Sequence, residues 1–152
     1  MLEIYDGKVY RFVVPGEPRG KGRPRATAYR AKDGNIRARN YTPATTVSYE
    51  NLIRMAAADV FEHPLEGPVE CRIFAYLGIP RSAPRSRRAR MLADKEYPTK
   101  KPDGDNIIKA VFDALNTVAF HDDVQVIDHH LHKRWSDTPR LEVFIYPMET
   151  RP

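Results

Sequence analysis

The amino-acid sequence predicts an α/β (α+β) fold: a small single domain over residues 1–152, with a mixed sheet of about four strands and about three helices. Runs rich in aromatic and β-branched residues, bounded by Pro, Gly or other turn-forming residues, predict the strands. They cover residues 9–15, 68–78, 124–135 and 140–146. Segments with helical apolar spacing or capping residues alternate with them, at 43–61, 82–97 and from 105 onward. A chain of 152 residues suffices for one hydrophobic core and is too short to favour two.

The first elements have clear boundaries. The strand Val9 to Pro15 ends at a Pro-Gly break, and a Gly-rich basic segment follows it. Before the first helix, Thr42 is suited to the N-cap and Pro43 to the first helical position. The helix is predicted to continue to Phe61. Its buried face is predicted from the spacing of four apolar residues, Leu52, Met55, Ala56 and Val60.

The later elements are bounded in the same way. A strand from Pro68 to Gly78 precedes a short, strongly basic helix that begins near Ser82, and the segment Tyr97 to Pro102 breaks this helix. The last two strands are separated by turn-forming residues at 136–139. They are therefore predicted to form a hairpin.

Composition indicates a cytoplasmic protein without a membrane segment. No apolar run approaches the roughly twenty residues that cross a bilayer, and the first residues lack the basic and apolar pattern of a signal peptide. Cys71 is the single cysteine, so neither a disulfide nor a cysteine metal site is expected.

Basic residues are concentrated in two stretches, although the net charge is only +5. The first stretch is predicted to be a mobile loop and contains Arg19, Lys21, Arg23, Arg25, Arg30, Lys32, Arg37 and Arg39. The second contains Arg81, Arg85, Arg87, Arg88, Arg90, Lys95, Lys100 and Lys101. Such patches attract polyanions by neutralising phosphates and releasing counterions, whereas an isolated charge run is more often a solubilising surface. Two dense clusters around a carboxylate-rich segment favour a nucleic-acid partner.

Residues 101–126, KPDGDNIIKAVFDALNTVAFHDDVQV, predict an amphipathic helix with carboxylates at both ends. The helix should begin near Asp105 or Asn106, because either residue can cap it. Its buried stripe is predicted to contain Ile108, Val111, Phe112 and Leu115. On another face, Asp105, Lys109 and Asp113 follow one another in steps of four.

Four carboxylates converge on one pocket if the chain folds back after this helix. They are Asp103, Asp105, Asp122 and Asp123. Carboxylates so close repel one another unless a cation holds them, and magnesium is the hard, oxygen-seeking cation that suits them. The alternative is that each aspartate only caps a helix or forms a turn, with Lys109 in an ordinary ion pair.

The same motif, KPDGDNIIKAVFDALN followed by FHDDVQV, resembles the signature of RusA-like Holliday junction resolvases, including prophage-borne members. The match comprises Asp103, Asp105, Asn106, Lys109, Asp113, Ala114, Leu115, Asp122, Asp123, Gln125 and Val126. Upstream, GKGRPRATAY and YTPATTVSYE are also similar to the longer family members. The resemblance therefore covers most of the chain.

The resemblance implies a homodimeric, magnesium-dependent endodeoxyribonuclease that resolves four-way junctions in DNA recombination and repair, with manganese as the other usable ion. It implies that Asp103, Asp105 and Asp123 are the essential metal-binding carboxylates and that Asp122 supports them. Lys109 corresponds to a lysine important for activity in such enzymes. The residues expected to contact branched DNA are Arg19, Lys21, Arg23, Arg25, Arg85, Arg87, Arg88, Lys101 and Lys133.

Other functions stay open on the sequence alone. Asp128, His130 and His132 alternate along a predicted strand and share one face, which could form a zinc site. The chain could also be a non-catalytic DNA-binding protein of the same fold, or a nuclease that acts mainly on flaps, forks or RNA. A panel of labelled substrates separates these functions.

Overall fold

A computed structural model describes residues 2–3, 7–22, 25–41 and 43–150. In chain order the strands are β1 (Leu2–Glu3), β2 (Tyr10–Pro15), β3 (Arg25–Arg30), β4 (Ile36–Tyr41), β5 (Val69–Gly78), β6 (Val126–Ser136), β7 (Arg140–Pro147) and β8 (Glu149–Thr150). The described helices are α1 (Ala44–Ala58), α2 (Arg85–Leu92) and α3 (Gly104–Leu115), with a 3-10 turn at Asp123–Gln125. The predicted fold class, a small α/β domain with a mixed four-stranded sheet, is confirmed. None of these helices is long and apolar enough to span a membrane.

The main sheet has the strand order β2-β7-β5-β6. β5 is parallel to β6 and antiparallel to β7, and β2 is antiparallel to β7. The predicted hairpin between β6 and β7 is therefore wrong, because β5 lies between these two strands. A turn can reverse the chain without making the strands neighbours. The short β1 and β8 pair with each other outside this sheet.

The core lies between one face of the sheet and the helices. Every second residue of β5 is fully buried, among them Cys71, Ile73 and Ala75, and these side chains belong to the same cluster as helix residues such as Ile53 and Val111. Of the intervening residues, Arg72, Phe74 and Tyr76 are half-buried on the opposite face, whereas Glu70 near the start of the strand is buried. A strand in the middle of a sheet with one covered face shows this alternation.

The buried face of α1 differs from the predicted one. Thr46, Tyr49, Ile53 and Ala57 are its buried residues. Leu52 and Met55, which were predicted to be buried, are 48% and 68% exposed, whereas Ala56 and Val60 pack partly against the core. The helical periodicity of α1 was predicted correctly, but the buried face was not. Which face is buried depends on the surface against which the helix packs. The predicted N-cap, Thr42, lies outside the described residues, and Pro43 occupies the N-cap position of the helix.

The predicted mobile loop, residues 19–39, contains most of an antiparallel hairpin of β3 and β4, so the prediction of a loop is wrong from residue 25 onward. Its turn is stabilised by Asp33, which accepts hydrogen bonds from the Asn35 backbone N–H at 3.0 Å and from Arg37 at 2.6 Å. Gly34 has φ +84°, a left-handed conformation that glycine adopts without strain. Strands with so many exposed basic residues lack the apolar alternation that predicts a strand.

The other two helices follow the predictions closely, with shifted boundaries. α2 begins at Arg85 after Pro84, three residues beyond the predicted start near Ser82. α3 begins at Gly104, so that Asp103 takes the N-cap position instead of Asp105 or Asn106. Of the predicted stripe on α3, Val111 and Leu115 are buried, while Ile108 and Phe112 pack partly against the core. The other buried residues of α3 are Ile107, Ala110 and Ala114.

Two substitutions on α1 test the phase of this helix. Ile53→Ala should lower the free energy of unfolding by about 2–5 kcal/mol, because it opens a cavity at a fully buried position. Leu52→Ala should cost less than about 1 kcal/mol, because that side chain is half-exposed already. Urea unfolding followed by circular dichroism measures both values. Equal losses for the two variants would contradict a helix face that buries Ile53 and exposes Leu52.

Candidate active site

Two of the predicted site residues lie at the beginning of α3. Asp103 occupies the N-cap position, yet its side chain makes no capping hydrogen bond within the described chain. The backbone carbonyl of Asp103 accepts a hydrogen bond from the Ile107 N–H at 3.1 Å. Asp105 lies in the first turn, largely exposed, and its carboxylate is 3.8 Å from the Lys109 ammonium. The positive end of the helix dipole favours both carboxylates here.

Asp103 lines a cleft of about 840 Å³. One wall is the segment 17–22, and the other comprises residues 100–103 with Asn106. Three predicted DNA-contacting cations, Arg19, Lys21 and Lys101, line the cleft together with Asp103. The structure therefore brings a carboxylate at a helix N-terminus together with positive charge from two separate segments.

The two walls are held together by backbone contacts near α3. The Lys21 N–H donates a hydrogen bond of 2.9 Å to the Asn106 carbonyl, and the Gly22 N–H donates one of 2.9 Å to Thr46 Oγ1. Gly20 lies so close to Asn106 that a Cβ built on it would be 2.9 Å from the Asn106 Cβ. A side chain at position 20 would therefore push the walls apart.

Lys21 also anchors its segment through its side chain. Its ammonium pairs with Asp113 on α3 and lies 3.5 Å from Glu50 on α1. The hydrogen bond to Asp113 is the main cause of a Lys21 pKa above the ordinary 10.5. The predicted polar line of Asp105, Lys109 and Asp113 is thus divided between two ion pairs. Asp105 pairs with Lys109, and Asp113 pairs with Lys21.

The other two predicted aspartates lie at the far end of α3. Asp122 is the N-cap of the 3-10 turn and accepts a hydrogen bond of 3.2 Å from the Val124 N–H, while the Gln125 side chain accepts one from the Asp122 N–H. Asp123 accepts a long hydrogen bond of 3.5 Å from the Asn116 side chain. Asn116 is the C-cap of α3, so Asp123 lies beside the end of the helix.

The four carboxylates therefore do not converge within one chain. α3 has 12 residues, and at 1.5 Å per residue it spans about 18 Å between the two groups. Magnesium binds oxygens at about 2.0–2.1 Å, so two ligands of one ion are at most about 4 Å apart. In the ranges 2–3, 7–22, 25–41 and 43–150, no group of three or more His, Cys, Asp or Glu side chains is arranged to hold a metal ion. As a set of three in one chain, Asp103, Asp105 and Asp123 do not fit a magnesium ion.

The remaining predicted DNA contacts are distributed around the molecule. On α2, Arg87 pairs with Glu96 at 2.8 Å and Arg88 pairs with Asp137, while Arg85 begins the helix. Lys133 donates a hydrogen bond of 2.6 Å to the Lys100 carbonyl and so supports a wall of the cleft. Arg23 lies outside the described residues, and Arg25 is the first residue of β3.

The possible zinc site is not supported by the structure. Asp128, His130 and His132 do lie on β6, where His130 is 3.3 Å from the Glu70 carboxylate. His132 stacks on Phe74 with ring centroids 4.6 Å apart, and burial lowers its pKa below the ordinary 6.5. These residues form no metal-binding group of three in the described part of the chain. They belong to a polar and aromatic sheet surface.

One residue of structural importance for the site was not predicted from the sequence. Arg54 on α1 donates hydrogen bonds of 3.1 Å to the carbonyls of Ala114 and Asn116 and so caps the end of α3. A single arginine in an apolar helix gives no signal of this role in the sequence. The contact becomes visible only when α1 and α3 are packed together.

Carboxylates at a helix N-terminus beside a basic cleft are consistent with a nuclease. Comparison with known proteins identifies the family. The model of the family "Endodeoxyribonuclease RusA" matches residues 15–146. The chain therefore belongs to the RusA endodeoxyribonuclease family. It is also 36% identical over 138 residues to the uncharacterized protein YqaN of Bacillus subtilis (strain 168), which covers 89% of this chain and 94% of that protein.

The anchoring of segment 17–22 can be tested through Lys21. Lys21→Met removes the ion pairs but keeps an apolar stem, so an arginine-specific protease should cut faster after Arg19. The loss of stability should be roughly 1 kcal/mol or less, since partly exposed ion pairs contribute little. Because the Lys21 pKa is raised in the folded state, the protonated side chain stabilises the fold at pH values below its ordinary pKa of 10.5. This contribution is lost as the pH rises through the folded-state pKa.

The control for this experiment is Lys32→Met, which removes an exposed charge from the hairpin turn. It should leave the cleavage rate at Arg19 unchanged. Equal rates for Lys21→Met and the unsubstituted protein at neutral pH would show that the backbone contacts alone hold the segment.

Proposed function

We propose that this protein is a divalent-metal-dependent endonuclease that acts as a homodimer in the cytoplasm and resolves four-way DNA junctions by paired strand cuts in recombination and repair. Membership of the RusA family supports the nuclease activity. The observation that carries the proposal for this chain is the cleft, because it combines Asp103 with Arg19, Lys21 and Lys101. A phosphodiester needs such cations to approach a carboxylate site.

Each site residue has a distinct proposed role. Asp103 and Asp105 bind the metal at the N-terminus of α3, whereas Asp123 lies beside the other end of the helix and cannot contact the same ion within one chain. Asp122 holds the turn that presents Asp123, as its capping hydrogen bonds suggest. Lys109, 3.8 Å from Asp105, holds positive charge near the reacting phosphate. Magnesium, or manganese in its place, activates a water and stabilises charge on the leaving oxygen in hydrolases of this kind.

The DNA backbone is proposed to follow the basic walls of the cleft. Arg19 and Lys101 belong to different walls, so together they can contact phosphates on both sides of the scissile bond. Arg25 on β3 and the α2 residues Arg85, Arg87 and Arg88 are proposed as further contacts with the DNA backbone. Because Arg87, Arg88 and the cleft residue Lys21 already pair with carboxylates, they contribute less free charge than Arg19 and Lys101.

Two-fold symmetry suits the proposed substrate. A four-way junction has an approximate dyad, and its resolution requires cuts in two strands of like polarity. A closed dimer, the commonest oligomeric form, presents two sites in matching orientation.

Removal of either carboxylate at the start of α3 should abolish cleavage. Asp105→Asn and Asp103→Asn preserve the shape of the side chain but remove a metal-binding charge, so the cleavage rate should fall by at least about 100-fold. Binding of a labelled junction should change little. Asp128→Asn, which removes an exposed carboxylate from β6, is the control and should cleave normally. Cleavage at the unsubstituted rate by Asp103→Asn and Asp105→Asn would refute the proposed site.

Junction binding should depend on the cations of the cleft. The double substitution of Arg19 and Lys101 to Ala should weaken binding and lower the slope of log affinity against log salt by about 2. Arg11→Ala removes a cation from the opposite sheet face, where it pairs with Glu142, and should leave the slope unchanged. Titrations with junctions, flaps, forks, duplex DNA and RNA also test substrate choice. Equal slopes for both variants would show that the cleft does not bind the DNA backbone.

A further inference from the structure

The hairpin formed by β3 and β4 has neither face covered by the described part of the chain. Residues 26–30 and 32–39 are exposed, none of them belongs to the hydrophobic core, and the two strands pair only with each other. The hydrogen bonds that Asp33 accepts from Asn35 and Arg37 stay within the turn. A lone two-stranded hairpin of this kind gains little from burial. Packing inside the domain therefore does not explain which residues the hairpin carries.

The charge of the hairpin indicates what kind of partner it fits. Residues 26–39 contain one carboxylate, Asp33, and four cations, which are Arg30, Lys32, Arg37 and Arg39. Among the described residues, only Arg37 of these four cations is in an ion pair, and its partner is Asp33. Three cations of the hairpin are thus available to an anion. Since clustered cations attract polyanions by neutralising phosphates, nucleic acid is the complementary partner.

The side chains of the hairpin are divided between two unlike faces. Residues directly opposite each other in an antiparallel pair share a face, and successive residues alternate between faces. One face, here called the recognition face, carries hydrogen-bonding side chains in two opposite pairs: Thr27 with Arg39, and Tyr29 with Arg37. The other, the alanine face, carries Ala26, Ala28 and Ala38, with Arg30 and Ile36 nearest the turn. Attraction of phosphates alone does not require this separation, because long basic side chains reach phosphates from either face. The separation indicates that one face points toward the partner and the other away from it.

The hairpin has the dimensions of an element that enters the major groove of DNA. Each strand has six residues and is therefore about 20 Å long at roughly 3.4 Å per residue. The major groove is about 12 Å wide and 8.5 Å deep and admits a two-stranded β-ribbon, whereas the minor groove is only about 6 Å wide. Side chains on the inward face of such a ribbon reach the edges of the bases.

The base of the hairpin adjoins the cleft of the proposed active site. The segment 17–22, which forms one wall of the cleft and carries Arg19, ends just before the hairpin. Its last residue, Gly22, bonds to Thr46 on α1, the helix that follows the hairpin. A Cβ built on Gly22 would also lie 3.1 Å from the Pro43 side chain. Both connections of the hairpin therefore lie close together beside this wall, so a DNA arm whose backbone enters the cleft is within reach of the ribbon.

We infer that the hairpin enters the major groove of a DNA arm next to the cleft, with the recognition face toward the bases. Arg39 donates hydrogen bonds to base edges, and guanine O6 and N7 match its guanidinium best. Thr27 and Tyr29 contact neighbouring base edges, while the alanine face points out of the groove. The hairpin thus gives the nuclease a preference for base sequence beside the cut. This inference rests on the proposed function, but it uses a surface separate from the carboxylates.

Two matched substitutions on opposite faces test the inference. Junctions with randomised base pairs beside the branch point are bound without divalent metal, and the bound fraction is sequenced. The unsubstituted protein should enrich particular base pairs by about 5-fold or more. Arg39→Lys should abolish this enrichment at one or two positions while the salt slope stays unchanged, because lysine keeps the charge but lacks the planar fork. Arg30→Lys, on the alanine face, should leave the enrichment unchanged.

The opposite results would overturn the inference. Enrichment that survives Arg39→Lys, or that Arg30→Lys and Arg39→Lys reduce equally, would show that the recognition face does not read bases. The double substitution of Thr27 and Tyr29 to Ala should also lower the enrichment. Each of these side chains is exposed, so thermal unfolding should be the same for all variants and exclude misfolding as the cause.

Modified DNA identifies the groove. Replacing an enriched guanine by 7-deazaguanine removes the N7 acceptor of the major groove without changing base pairing. This replacement should weaken binding of the unsubstituted protein by about 5-fold or more and should have no further effect on Arg39→Lys. Netropsin, which occupies the minor groove, should not compete. Competition by netropsin together with insensitivity to 7-deazaguanine would place the hairpin in the minor groove and overturn the inference.

Cleavage in magnesium separates this inference from the proposed function. If the unsubstituted protein cleaves junctions of every sequence at equal rates and enriches none, the inference is overturned and the nuclease function stands. If it enriches particular arms, loses this preference through Arg39→Lys and yet cleaves no junction, the proposed nuclease function fails and the hairpin stands as a DNA-reading element.

Discussion

The packing of α3 between α1 and the sheet is the constraint on which the rest of the site depends. Its buried residues, which include Ile107, Val111 and Leu115, join the core formed by β5 and α1. Burial of several large side chains stabilises one orientation of the helix by several kcal/mol. That orientation directs the N-terminus of α3, with Asp103, toward the basic cleft.

Polar contacts at the two ends of α3 reinforce this packing. At the beginning, the Asn106 carbonyl accepts a hydrogen bond from the Lys21 N–H, which brings the segment 17–22 to the helix. At the end, Arg54 bonds to the last carbonyls, and Asn116 contacts Asp123. Each end therefore presents a carboxylate at a position set by the body of the domain and not by a free loop. Preorganised carboxylates of this kind suit a site that must hold its geometry during a reaction.

The basic residues fall into two groups with different capacity to bind an anion. Arg19 and Lys101 line the cleft beside Lys21, which is paired with Asp113 and Glu50. Arg72 and Arg140 lie on the open sheet face and pair with Glu70 and Glu142. Ion pairing on the open face lowers its net positive potential. The cleft cations Arg19 and Lys101 are therefore the ones that we propose to attract the DNA backbone.

The sequence by itself determined most of the local elements and the family to which the chain belongs. Periodicity and capping predicted the four main strands, α1, α2 and α3, because these patterns depend only on neighbouring residues. The motif that contains Asp103, Asp105, Lys109 and Asp123 resembles the signature of the RusA family, and the family comparison confirmed that membership.

Only the tertiary structure decided how these elements are arranged. It showed that Ile53 and not Leu52 faces the core, that β5 separates β6 from β7, and that part of the basic segment forms a hairpin. It also showed that Asp123 lies beside the end of α3. The sequence had left this open, because the segment that follows the helix is long enough to return to its beginning. Helical phase, strand order and the path of a connection depend on the surfaces that elements bury against one another, which local sequence patterns do not encode.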